Sequence, residues 1–102
     1  DFAILTNEMN KAIFGMSIAD HKNTKGLDPK LKNQNLRDHM TDLERIFSIL
    51  GEKMTIEVAR GEDSYGFEKN KEVAKKGGDV AGRARIDAED VLGKSITPKK
   101  KN

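Results

Sequence analysis

The chain has no cysteine and no tryptophan, one tyrosine and two prolines among its 102 residues. Without cysteine there is no disulfide framework, no thiolate zinc site and no cysteine nucleophile. A reducing, cytoplasmic setting is therefore expected. With 5% aromatics, the core must come mainly from Leu, Ile, Met, Ala and a few Phe. That palette suits helices better than a β-sandwich. No apolar run approaches the ~20 residues of a membrane span, and no signal peptide is visible. Two histidines assemble no Ser–His–Asp or similar constellation, so no enzymatic activity, cofactor or small-molecule substrate is expected.

What is present is a stripe. Leu36, Met40, Leu43, Phe47, Leu50 and Met54 recur at alternating steps of four and three, which places them on one side of an α-helix. Ile46 widens the stripe, and Arg37, Asp38, Asp42, Glu44, Arg45 and Glu52 occupy the opposite side. The spacing predicts one long helix from an Asn35 cap, continuing through Gly51 at a cost of ~1 kcal/mol relative to Ala. A break at Gly51, with a new helix capped by Thr55, is the alternative. Burial of the stripe predicts that a charge at Leu43 or Phe47 prevents folding.

Other elements follow from local signals. Phe2, Ile4, Leu5, Met9, Ala12, Ile13 and Met16 predict a first helix ending near Gly15, with an alternative start near Thr6. Ser17 with Asp20 three residues on predicts the cap of a short second helix that stops before Gly26. Asp28 to Gln34, with Pro29, reads as a loop. A long polar helix is expected to open at Ser64 or Tyr65 and reach about Leu92, with Gly93 as its stop. Its stripe of Phe67, Ala74, Gly77, Ala81, Ala84, Ala88 and Val91 consists largely of small residues. Such a stripe lets another helix backbone approach closely. A kink is possible at Gly77-Gly78. Ser95 onward reads as a solvated tail.

The net charge of +2 is distributed as +1 over residues 1–34, −3 over 35–66 and +4 over 67–102. The basic cluster Lys71, Lys75, Lys76, Arg83 and Arg85, with Lys94, Lys99, Lys100 and Lys101, is a candidate DNA-phosphate contact. Acidic residues are interleaved throughout it, and no aromatic platform accompanies it. Lys75 to Arg83 superficially resembles a phosphate loop but lacks the Gly-x-x-x-x-Gly-Lys-Ser/Thr order and a preceding strand. Asp38, His39 and Asp42 offer metal-ligand chemistry at helical spacing, but acidic residues early in a helix are also favoured by its dipole. Ser17 to Leu27 followed by the Asn35 helix has the outline of a helix-turn-helix. Its connection is long, however, and its second helix is too acidic for a groove reader.

The runs Asp1-Phe2-Ala3-Ile4-Leu5-Thr6-Asn7-Glu8, Gly15-Met16-Ser17, Lys25-Gly26-Leu27 and Asn35-Leu36-Arg37-Asp38-His39-Met40-Thr41-Asp42-Leu43-Glu44 resemble the C-terminal part of prophage antirepressor-like proteins carrying a BRO-type N-terminal domain. More loosely, they are similar to the C-terminal region of DNA-damage-inducible protein D. Gly66 to Gly78 and Ala81-Gly82-Arg83-Ala84-Arg85 resemble the same antirepressor-like group. The resemblance implies a bacterial regulator in prophage control or the SOS response to DNA damage, with DNA binding assigned to the BRO domain. It supplies no catalytic motif. The start at Asp1, directly before an apolar pattern, is what a domain cut from a longer protein would show.

The expected fold is all-α: a compact bundle of about four helices, with a long central amphipathic helix and a disordered basic C-terminal tail. Residues 1–96 would form one domain and 97–102 the flexible tail. The expected function is protein interaction or oligomerisation, with a protein partner or a second copy seated on Ala74, Gly77, Ala81 and Ala84. The alternative is an accessory DNA-binding role for Lys75, Lys76, Arg83, Arg85 and the lysine tail.

Overall fold

Each helix begins or ends where backbone chemistry requires it. The computed structural model describes residues 2–62 and 66–99. Helix α1 spans Phe2–Phe14 and stops at Gly15, whose φ of +73° is costly for any residue with a Cβ. Ser17 caps α2, Ile18–Thr24, and its Oγ accepts from the Asp20 N–H at 3.1 Å. The Gly26 and Leu27 amides close its end by donating to the Asn23 and Lys22 carbonyls at 3.1 and 3.0 Å. Helix α3 covers Asp42–Gly61 and α4 covers Phe67–Leu92. Gly93, at φ +70°, closes α4 with its N–H on the Glu89 carbonyl. The chain is compact and all-helical, with no strand among the described residues. The predicted opening of α4 at Ser64 or Tyr65 lies outside the described residues.

The predicted Asn35 helix divides into two elements. Asn35 caps only a 3-10 turn, Leu36–His39, and Met40 is extended. Thr41 then starts α3 with a reciprocal capping box. Its Oγ1 accepts from the Glu44 N–H at 3.3 Å, and its own N–H donates to Glu44 Oε1 at 3.0 Å. Beyond that point α3 runs unbroken through Gly51, as the stripe requires. Thr55 starts no new helix, and its hydroxyl donates back to the Gly51 carbonyl at 2.8 Å. The helix at Gly77-Gly78 is likewise continuous.

Helix α4 packs along both α1 and α3, which touch each other far less. Gly77 lies against Thr55 and Ala81 near Gly51, so α3 runs antiparallel to α4. Gly78 meets Met9 and Ala12 while Gly82 meets Ala12 and Ile13, so α1 runs parallel to it. Ile13, Phe14, Leu36, Met40, Phe47, Ala81 and Ile96 form the buried cluster.

Three expectations change here. Val91 is exposed, and so is Leu43 at 42%, whereas Phe47 is 8% exposed. Leu43 sits in the first turn of α3, on the flank of the face formed by Glu44, Phe47, Ser48 and Gly51, so it is only half covered. Ile96 and Thr97 are also buried rather than part of a solvated tail. The Ile96 N–H donates to Glu89 Oε2 at 2.9 Å, which pins the chain back on α4. Pro98 and Lys99 are exposed, while Lys100, Lys101 and Asn102 lie outside the described residues. Phe47→Asp is expected to abolish folding, because it places an unpaired charge where ~1.5–3 kcal/mol of apolar burial was gained. Leu43→Asp is expected to melt within a few degrees of the parent. Equal loss in both variants by thermal circular dichroism would refute this division.

Candidate functional site

The stripe of small residues is used inside the chain. Ala74, Gly77 and Ala81 are buried, and Ala84 packs partly buried against the core. A Cβ on Gly77 would lie 2.5 Å from the Thr55 nitrogen and 2.6 Å from its Cα. Placing a partner on Ala74, Gly77 and Ala81 is therefore corrected: α1 and α3 occupy the face that the spacing prepared for an unspecified helix.

The cationic residues separate into two groups. Lys76 Nζ bonds Glu62 at 3.1 Å, tying the third turn of α4 to the end of α3. Arg85 Nε–H donates to the Ile13 carbonyl at 2.7 Å, and Nη1 pairs with Glu89 at 2.6 Å. Arg85 thus caps the end of α1, and Glu89 holds the returning tail. Lys75 and Arg83 are exposed and make no ion pair among the described residues. Lys75 borders a shallow cleft with Lys69, Lys71, Glu8, Glu68 and Glu72, where the charges of both signs balance. Half of the proposed phosphate-binding set is consequently engaged in holding the fold together.

Asp38 and His39 sit on the 3-10 turn and are exposed, as is Asp42 at the start of α3. No group of three or more His, Asp or Glu is positioned to hold a metal among the described residues.

Periodicity gives no sign of a polar cluster sealed beneath α2. His21 and Glu44 are fully buried, with His21 Nε2 donating to Glu44 Oε2 at 2.6 Å. Lys25 Nζ pairs with Glu44 Oε1. The Asn10 amide nitrogen donates to the Met16 carbonyl at 3.1 Å and reaches His21 Nδ1 at 3.3 Å. Because the Met16 carbonyl can only accept, Asn10 must present its NH2 group. His21 Nδ1 therefore accepts, and its Nε2–H donates to Glu44. The Phe14 ring lies 4.6 Å from the imidazole. Burial raises the Glu44 pKa, but hydrogen bonds from His21, Lys25 and the Thr41 amide, with the Lys25 charge, outweigh it and bring it from 4.5 to about 2. No buried side-chain nitrogen or oxygen lacks a partner among the described residues. The cluster is a clasp between α1, α2 and α3, with its polar atoms already committed.

Beside the clasp, a cleft of about 480 Å³ opens between α1, α2 and the 3-10 turn. Met9, Ile13, Leu36 and Met40 line it, with Lys22 and Lys32 at its border.

A further feature is the outer side of α3. Glu44, Phe47, Ser48 and Gly51 face inward. At ~100° per residue, Ile46 and Ile49 fall on the side away from them, while Ile56 lies toward the flank and also borders a cleft with Leu5, Met9, Val73 and Ala74. The three isoleucines are 56%, 45% and 44% exposed. Around this strip stand Asp42, Arg45, Lys53, Glu57 and Arg60, all exposed. Asp42 pairs with Arg45 at 3.7 Å, and Glu57 pairs with Arg60 at 3.0 Å.

Among known protein families, curated proteins and solved structures, no match to this chain is found. No helix is long and apolar enough to cross a membrane among the described residues.

Proposed function

We propose that this domain is a protein-interaction or oligomerisation module, serving a regulator of prophage control or the DNA-damage response. The observation that carries the reading is the exposed Ile46, Ile49 and Ile56 strip on α3. Ile46 and Ile49 on the outer side of the helix, with Ile56 half-exposed on its flank, offer apolar area that a second protein can remove from water. The regulatory setting rests on the resemblance to antirepressor-like and damage-inducible proteins. The interaction surface moves from the Gly77 face to α3, since Ala74, Gly77 and Ala81 are buried. DNA contact is the weaker reading because Lys76 and Arg85 are engaged with Glu62, Glu89 and the Ile13 carbonyl.

Light scattering over a concentration series, with and without a short DNA duplex, tests this function. The expected result is association that ignores the duplex. A monomer that binds the duplex, and releases it as salt rises, would overturn the reading. A monomer indifferent to DNA would restrict the partner to a different protein.

A further inference from the structure

Resting on the interaction-module reading, we infer that the partner of α3 is a second copy of this chain, paired antiparallel through Ile46, Ile49 and Ile56. A twofold interface brings the same patch from both copies together, so the patch must complement itself. The outer side of α3 meets that requirement. With the twofold axis at the level of Gly51, Ile46 lies opposite the partner's Ile56. Asp42, near the start of the helix, then lies opposite the partner's Arg60. Ile49 lies across from the partner's Lys53, whose methylene stem covers it while the ammonium stays in water.

Charge supplies the direction. Asp42 stands at the positive end of the helix dipole and Arg60 at the negative end. Antiparallel pairing brings each against its opposite, and it also opposes the two dipoles. The contacts within one chain, Arg45 with Asp42 and Arg60 with Glu57, then join into an alternating four-charge cluster at each end of the interface. Parallel pairing would instead stack Asp42 on Asp42 and Arg60 on Arg60. A partner of unrelated sequence has no reason to match an acidic start, an apolar centre and a basic end in one helix.

The absence of cysteine makes disulfide trapping unambiguous. Chains carrying Ile46→Cys and Ile56→Cys are mixed and mildly oxidised. The mixture is expected to yield a covalent dimer well above the level of either variant alone. Like positions in this register are ~15 Å apart along the helix, beyond the ~7 Å Cα separation a disulfide tolerates. Ile49→Asp is expected to reduce the solution mass to that of a monomer while helicity and melting at low concentration stay at parent level. Arg60→Asp should weaken the dimer about tenfold, and Asp42→Arg with Arg60→Asp should recover most of it.

A dimer lost on Ile49→Asp, but trapped equally well by each cysteine variant alone, would overturn the antiparallel register and keep α3 as the interaction surface. A chain monomeric at every concentration would overturn the second copy as occupant, leaving the strip to a different protein. A dimer untouched by Ile49→Asp would overturn both the pairing and the placement of the interface on α3.

Discussion

Gly77→Ala is expected to destabilise the domain by at least ~2 kcal/mol, although alanine is the better helix former by ~1 kcal/mol. The added methyl would lie against the Thr55 hydroxyl, 2.5 Å from the Thr55 nitrogen and 2.6 Å from its Cα. Two of those atoms are backbone and cannot swing aside as a side-chain end can. The helices must separate, which loosens Ala74 and Ala81 along the same contact. Gly82→Ala meets a similar obstacle on the other side of α4, where the Ala12 carbonyl oxygen and carbon, the latter at 3.3 Å, block the methyl. For a domain of this size, ~2 kcal/mol corresponds to a fall in melting temperature of ~8–16 °C. Gly61→Ala is the control, because nothing lies within 4 Å of the position its methyl would take. That variant should melt at or slightly above the parent. Gly77→Ala melting with the Gly61 control would refute close backbone packing as the reason for the glycine.

The glycine result marks how far the sequence can be read. A stripe of Ala74, Gly77 and Ala81 specifies that a backbone comes close, and it specifies the height along α4. It does not identify the visiting helix, because that depends on where α1 and α3 dock. The apolar stripe from Leu36 to Met54 likewise reports burial rather than conformation. Leu36 and Met40 are buried from a 3-10 turn and an extended residue, so the periodicity passes across a break that it does not register. The break has a local sign in Thr41-Asp42-Leu43-Glu44, a Ser/Thr-x-x-Glu box that competes with Asn35 for the helix start. Gly15, Ser17, Gly26 and Gly93 act within one or two turns of their own positions, which is why α1, α2 and the end of α4 are readable from sequence. The clasp has no comparable sign. His21 and Glu44 are 23 residues apart, and only the docking of α2 against the start of α3 brings them together. Of the exposed isoleucines of α3, Ile49 and Ile56 lie off the stripe's phase, whereas Ile46, which the spacing adds to the stripe, is 56% exposed.

Glu44→Ala is expected to cost about 3–5 kcal/mol, the range for removing one partner of a buried charge pair. One carboxylate here accepts from His21, Lys25 and the Thr41 amide. Its loss strands a buried imidazole and a mostly buried ammonium, and it opens the capping box that starts α3. Glu44→Gln separates charge from shape, and pH reads the difference. The folded Glu44 pKa, about 2, lies below its ordinary 4.5. The unfolded chain therefore binds the extra proton as pH falls through that interval. Glu44's contribution is complete above about pH 4.5 and is lost progressively toward pH 2. Glu62 titrates in the same direction, because hydrogen bonds from Lys69 and Lys76 hold its pKa below the ordinary value. That half-exposed trio is screened by salt, whereas the sealed Glu44 clasp is screened much less. As pH is lowered from 6 to 2 in high salt, melting temperatures should thus fall more steeply for the parent than for Glu44→Gln. Parallel curves would mean that the clasp contributes shape alone. A flatter curve for Glu44→Gln would show that a single sealed charge keeps α2 folded down on the start of α3.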